Sequence, residues 1–104
     1  RSEIPKEILL TLGDLSFSLE NYKVAEELLS KILHSHSLTE IETFLICKGL
    51  GVVYMKSNEY QNAKEYFLIC EGLLSEHGDP NQLTQIYKGI YLCKAQLGEF
   101  LEAE

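Results

Sequence analysis

The sequence predicts an all-α protein, an α-α superhelix (solenoid) of antiparallel helical hairpins, about two and a half of them. Three observations carry this. Residues 44–75 read as two amphipathic helices joined by the polar turn Ser57-Asn58-Glu59. Leu50, Val53 and Tyr54 share a helical stripe in the first, and Tyr60, Ala63, Phe67 and Cys70 in the second. The pattern then recurs. Leu12-Gly13, Tyr22, Ala25 and Leu29 match Leu50-Gly51, Tyr60, Ala63 and Phe67 at an offset of 38 (51 − 13, 60 − 22, 63 − 25), and Ile90, Phe100 and Ala103 match Leu50, Tyr60 and Ala63 at an offset of 40. Finally, the chain has only 2 prolines and no long alternating β-branched run, so nothing in it favours strands.

Each element has a local reason. Pro5 stands in the first turn of the first helix, where a missing N–H costs nothing. That helix carries Ile8, Leu9, Leu12, Leu15 and Leu19 and ends near Glu20-Asn21. Asn21 caps the second helix, which carries Tyr22, Ala25, Leu28, Leu29 and Ile32 and fades at His34-Ser35-His36-Ser37. Thr39 and Glu42 form a capping box that opens the third helix, and Asn58 is the expected cap of the fourth, which runs to about Ser75. The break at His77-Gly78-Asp79-Pro80 combines a helix C-cap at Gly78 with an N-cap, a first-turn proline and a capping box at Asp79, Pro80 and Gln82. The fifth helix runs from Pro80 to about Leu97, Gly98 ends it, and a sixth begins near Glu99. Residues 1–104 thus form a single array with repeats at about 5–37, 39–77 and 80–104, the last cut short. An array with an open end is expected to be a piece of a longer one; a homodimer through that end is the alternative.

Leu50-Gly51, Tyr54, Tyr60, Ala63 and Phe67 resemble the tetratricopeptide repeat, whose pattern runs through Leu-Gly, Tyr, Ala and Phe. The resemblance is fullest in the second repeat and partial in the third. The period exceeds the family's usual ~34 residues, as in its extended versions. Tyr91 replaces the close-packing glycine in the third repeat, and Ser16 and Lys94 stand where the pattern has Tyr54.

Composition narrows the function. The net charge of −7 disfavours direct nucleic-acid binding, because an acidic surface repels phosphate. No apolar run approaches the ~18–20 residues of a membrane span, so no membrane partner is expected. Cys47, Cys70 and Cys93 are an odd count at wide spacing, read as buried small hydrophobes in a reducing cytoplasm. No CxxC or Cys/His cluster has zinc-ligand spacing, and His34 and His36 lack further ligands nearby. Gly49 and Gly51 have no following Lys-Ser/Thr, so they are not a phosphate loop. Glu26 and Glu27 read as solvated helix-surface charges. Nothing pairs a nucleophile with a base, so neither an enzyme nor a cofactor is expected.

The resemblance implies a concave groove, lined by the first helix of each hairpin, that holds extended or helical peptide. Carried over by spacing from Gly51, the groove residues are Leu10, Asp14 and Phe17; then Leu45, Lys48, Val52 and Met55; then Gln85, Lys88, Leu92 and Ala95. Lys48 and Lys88 are equivalent and would receive an acidic side chain or a carboxylate; the plainer role is as solvated surface lysines. One branch of the family clamps chaperone C-termini with Lys and Asn one helical turn apart. Val52 and Leu92 follow these lysines by one turn, so that clamp is absent. The function expected is a non-enzymatic scaffold segment that binds a protein or peptide. The alternative is the repeat domain of a bacterial cytoplasmic peptide-sensing transcriptional regulator, with its helix-turn-helix domain elsewhere, which extended repeats of this composition resemble.

Overall fold

A computed structural model of the chain describes residues 5–35, 37–77 and 80–99. Five helices follow one another: α1 (Lys6–Ser18), α2 (Tyr22–Ser35), α3 (Glu40–Lys56), α4 (Tyr60–His77) and α5 (Pro80–Leu97). No strand occurs among the described residues. Each helix packs against the one before it, and α3 also touches α5. Neighbours run antiparallel: Phe44 faces Cys70 while Tyr54 faces Tyr66 across α3 and α4, and Glu26 faces Tyr54 while Leu29 faces Gly49 across α2 and α3.

Two of the turns are built alike, bond for bond. After α1, the Asn21 N–H donates to the Ser16 carbonyl and the Glu20 N–H to Phe17. After α3, the Glu59 N–H donates to Tyr54 and the Asn58 N–H to Met55. Both are Schellman closures, which satisfy orphan helix carbonyls and need a left-handed residue after the C-cap. Glu20 (φ 62), Asn58 (φ 65) and Gly98 (φ 76) supply that residue, at the offsets of 38 and 40 seen in the sequence (58 − 20 and 98 − 58). Asn58 is therefore a turn residue and not the expected cap of α4. Asparagine tolerates positive φ, and its side chain accepts from the Tyr60 hydroxyl instead. The capping box of Thr39 and Glu42 forms as expected. Pro5 sits at the N-cap, one place before the first helical residue. Gly78, Asp79, His36 and the sixth-helix residues Phe100 and Ala103 lie outside the described residues.

The core is two buried clusters that meet at α3. One joins Ala25, Leu29 and Ile32 to Ile46, Leu50 and Val53, and the other joins Ala63, Phe67 and Cys70 to Ile86, Ile90 and Cys93. Small residues set the spacing. A Cβ at Gly51 would stand 2.8 Å from the Phe67 ring, and one at Gly89 would stand 2.9 Å from it, so the ring is clamped between α3 and α5. Leu29 is held the same way, with distances of 3.6 Å for Gly13 and 3.2 Å for Gly49. Hence each first helix uses one glycine toward its own hairpin partner and the next uses another toward the preceding hairpin. Tyr91, at the place of Gly51, is 59% exposed.

Polar contacts join the hairpins. The Tyr54 hydroxyl donates to Glu26 Oε2 at 2.9 Å, with its ring stacked on Tyr66. Burial, then Glu26, holds the Tyr54 phenol well above its ordinary pKa. Glu26 thus ties α2 to α3, a role its surface-like sequence pattern hid. Lys64 Nζ reaches both carboxylate oxygens of Glu99, at 2.9 and 2.8 Å, and anchors the chain beyond Gly98 to α4. All three cysteines are buried and free, and the Cys70 thiol donates to the Phe44 carbonyl.

Candidate functional site

A cleft of about 460 Å³ opens between α1 and α3, with Leu29 of α2 at its floor. It exists because Gly13 and Gly49 let both helices close on Leu29, leaving the next side chains out as walls. Those walls include Leu10, Asp14 and Phe17 from α1 and Leu45, Lys48 and Val52 from α3. Six residues that the resemblance implied for a groove come together in one concave surface. Phe17 is braced edge-on against Tyr22, with ring centroids 5.4 Å apart, so this wall is fixed by the α1–α2 turn.

The chemistry of the cleft is apolar with one charge of each sign. Leu45 is 52% exposed, while Leu10, Phe17 and Val52 are half-buried. Neither Asp14 nor Lys48 makes a hydrogen bond or ion pair among the described residues. The Lys48 ammonium is therefore available to an incoming anion. Its field also reaches Cys70, where it opposes weakly the burial that pushes this thiol up to about 12.

The remaining expected residues separate from this set. Met55 is half-buried and packs onto the α4–α5 cluster. Lys88 and Leu92 line a shallow hollow on α5 with Thr84, Tyr87 and Tyr91, so Lys88 and Lys48 do not share a cavity. Gln85 and Ala95 are exposed and border neither hollow. Conversely, the apolar surface continues past Leu45 into a second cleft of about 280 Å³, formed by Ile41, Phe44, Leu73, Leu74, Glu40 and Gln82. Ile41 was readable in the sequence, one helical turn before Leu45; the α4 contribution needed the tertiary packing.

Among the described residues, no group of three or more His, Cys, Asp or Glu gathers in metal-binding geometry. No described helix is long and apolar enough to cross a membrane. No protein-family model matches this chain, and neither a curated protein nor a solved structure matches it.

Proposed function

We propose that the chain is a non-enzymatic, cytoplasmic binding module of the tetratricopeptide type, part of an α-α superhelix, and that the α1–α3 cleft receives a segment of a partner protein. The observation that carries this is the convergence of Leu10, Asp14, Phe17, Leu45, Lys48 and Val52 on one cleft. Its volume lies within the ~300–1,000 Å³ of ordinary ligand sites. Apolar walls supply area, and the unpaired Lys48 supplies selectivity for an acidic residue or a terminal carboxylate. The repeated Schellman turns and the glycine contacts to Leu29 and Phe67 support the array reading, because they recur at the sequence period. Buried thiols suit a reducing compartment.

Peptides selected from a displayed library against the chain test this. They are expected to place an acidic residue within a few positions of bulky apolar ones. Lys48→Glu should weaken them at least tenfold with helicity unchanged, and Lys88→Glu should weaken them far less. Peptides that bind wild type, Lys48→Glu and Val52→Asp equally would remove the cleft from the account.

A further inference from the structure

α1 carries a second surface, facing away from the cleft. Ile8, Leu12, Leu15 and Leu19 are 50, 40, 54 and 71% exposed and follow one another at spacings of 4, 3 and 4, a continuous stripe on one helix face. The apolar run of the first helix thus divides: among its described large hydrophobic residues Leu9 is fully buried, while these four stand exposed.

The repeat register explains the stripe. Ile8, Leu12 and Leu15 are equivalent to Ile46, Leu50 and Val53 of α3 at an offset of 38 (46 − 8, 50 − 12, 53 − 15). These in turn match Ile86, Ile90 and Cys93 of α5 at an offset of 40 (86 − 46, 90 − 50, 93 − 53). In α3 that face is 2, 0 and 2% exposed, covered by Ala25, Leu29 and Ile32 of α2. In α5 it is 0, 8 and 0% exposed, covered by Ala63, Phe67 and Cys70 of α4. The same residue types at the same positions are thus twice a helix-docking surface within this chain.

We infer that the α1 stripe Ile8-Leu12-Leu15-Leu19 docks an amphipathic partner helix of the α2/α4 kind. Its partner presents aliphatic residues at spacings of 4 and 3. One feature distinguishes it from α2 and α4. Thr11 stands where α3 and α5 have Gly49 and Gly89, the glycines that admit Leu29 and Phe67. The partner therefore carries a small side chain opposite Thr11. Exposed Glu7, one helical turn before Thr11, favours a cation on that edge of the partner. A second copy does not supply this helix, because α2 and α4 already bury their own stripes. Laying α1 of a second copy against α1 would bring like acidic edges together.

The test uses the whole chain and two synthetic peptides of residues 21–35, one with the native sequence and one with Leu29→Ala. The alanine peptide is expected to bind wild type the more tightly, and Thr11→Gly to reverse that order. Leu12→Glu with Leu15→Glu, both exposed, should weaken binding at least tenfold while circular dichroism is unchanged. Absence of binding at millimolar peptide would overturn the inference. So would binding that survives the double glutamate variant, since the peptide would then be replacing α2 itself. A dimer in light scattering that the double glutamate variant dissolves would assign the stripe to a second copy instead.

Discussion

Adding one methyl group at Gly51 or Gly89 should destabilise the protein, although both lie inside helices where alanine is the better residue. Gly→Ala in a helix interior gains roughly 1 kcal/mol from backbone entropy and propensity. Against this, the new Cβ would stand 2.8 Å from Phe67 Cε1 and Cζ at position 51, and 2.9 Å from the ring at position 89. A ring can yield to one such contact by sliding away. Here each glycine blocks the escape from the other, and Phe67 is only 3% exposed. Overpacking of this kind costs ~1–3 kcal/mol, and the two-sided clamp puts it toward the upper end. The net loss is then about 1–2 kcal/mol, or a fall in Tm of roughly 5–10 °C for a domain of this size. Gly72→Ala is the internal control: a Cβ there meets nothing within 4 Å, so it should raise Tm by a few degrees. Phe67→Leu should partly rescue Gly51→Ala, giving a coupling of at least about 1 kcal/mol in a double-mutant cycle. Thermal melts of the four single variants and the Gly51→Ala/Phe67→Leu double variant read all of this. If Gly51→Ala and Gly89→Ala raise Tm as Gly72→Ala does, the clamp is not what spaces α3, α4 and α5.

Other perturbations have equally direct outcomes. Glu20→Gly should stabilise the fold by about 1 kcal/mol in urea titration, because a non-glycine residue at φ 62 carries a steric cost that glycine lacks. Tyr54→Phe should cost about 1 kcal/mol by removing the hydroxyl that Glu26 accepts, and Tyr54→Phe with Glu26→Gln should cost little more than either alone. Burial raises the Cys70 thiol from near 9 to about 12, so the unfolded chain releases its proton over a pH range where the folded chain keeps it. The contribution of Cys70 to stability should accordingly be flat below pH 9 and fall by about 1.4 kcal/mol per pH unit between 9 and 12, and Cys70→Ala should remove that share of the slope. Glu99→Gln should speed amide exchange at Gly98 and Glu99 selectively, because it breaks the doubly bonded Lys64 contact while leaving α4 and α5 packed.

The helices were legible because their signals are local. Thr39 and Glu42 announce α3 by a reciprocal cap, and the stripe of Ala63, Phe67 and Cys70 announces the buried face of α4. The repeat offsets were legible too, and they recur in the left-handed turn residues Glu20, Asn58 and Gly98, only one of which is a glycine. What the sequence concealed is mostly pairwise. Gly49 and Gly89 look like weak helix residues until Leu29 and Phe67 are placed against them. Glu26 looks solvated until the Tyr54 hydroxyl reaches it across the hairpin boundary. Helical periodicity also marks an apolar face without saying whether anything covers it. Ile8, Leu12, Leu15 and Leu19 show it: they mark the apolar run of the first helix in the sequence, and they stand exposed. For the site, the α1 and α3 residues named through the resemblance lie along one cleft, because α1 and α3 are both antiparallel neighbours of α2. The resemblance did not foresee that Lys88 and Leu92 open onto a separate hollow, since equivalent positions on α3 and α5 need not share neighbours.

The most direct test of the account is an amide chemical-shift map of the chain titrated with an acidic, apolar peptide selected from a displayed library. Perturbations confined to Leu10, Asp14 and Phe17 of α1 and to Leu45, Lys48 and Val52 of α3, lost in Lys48→Glu, are the predicted result. A footprint on α4, or on the α5 hollow around Lys88, with the α1–α3 cleft unmoved, would contradict it.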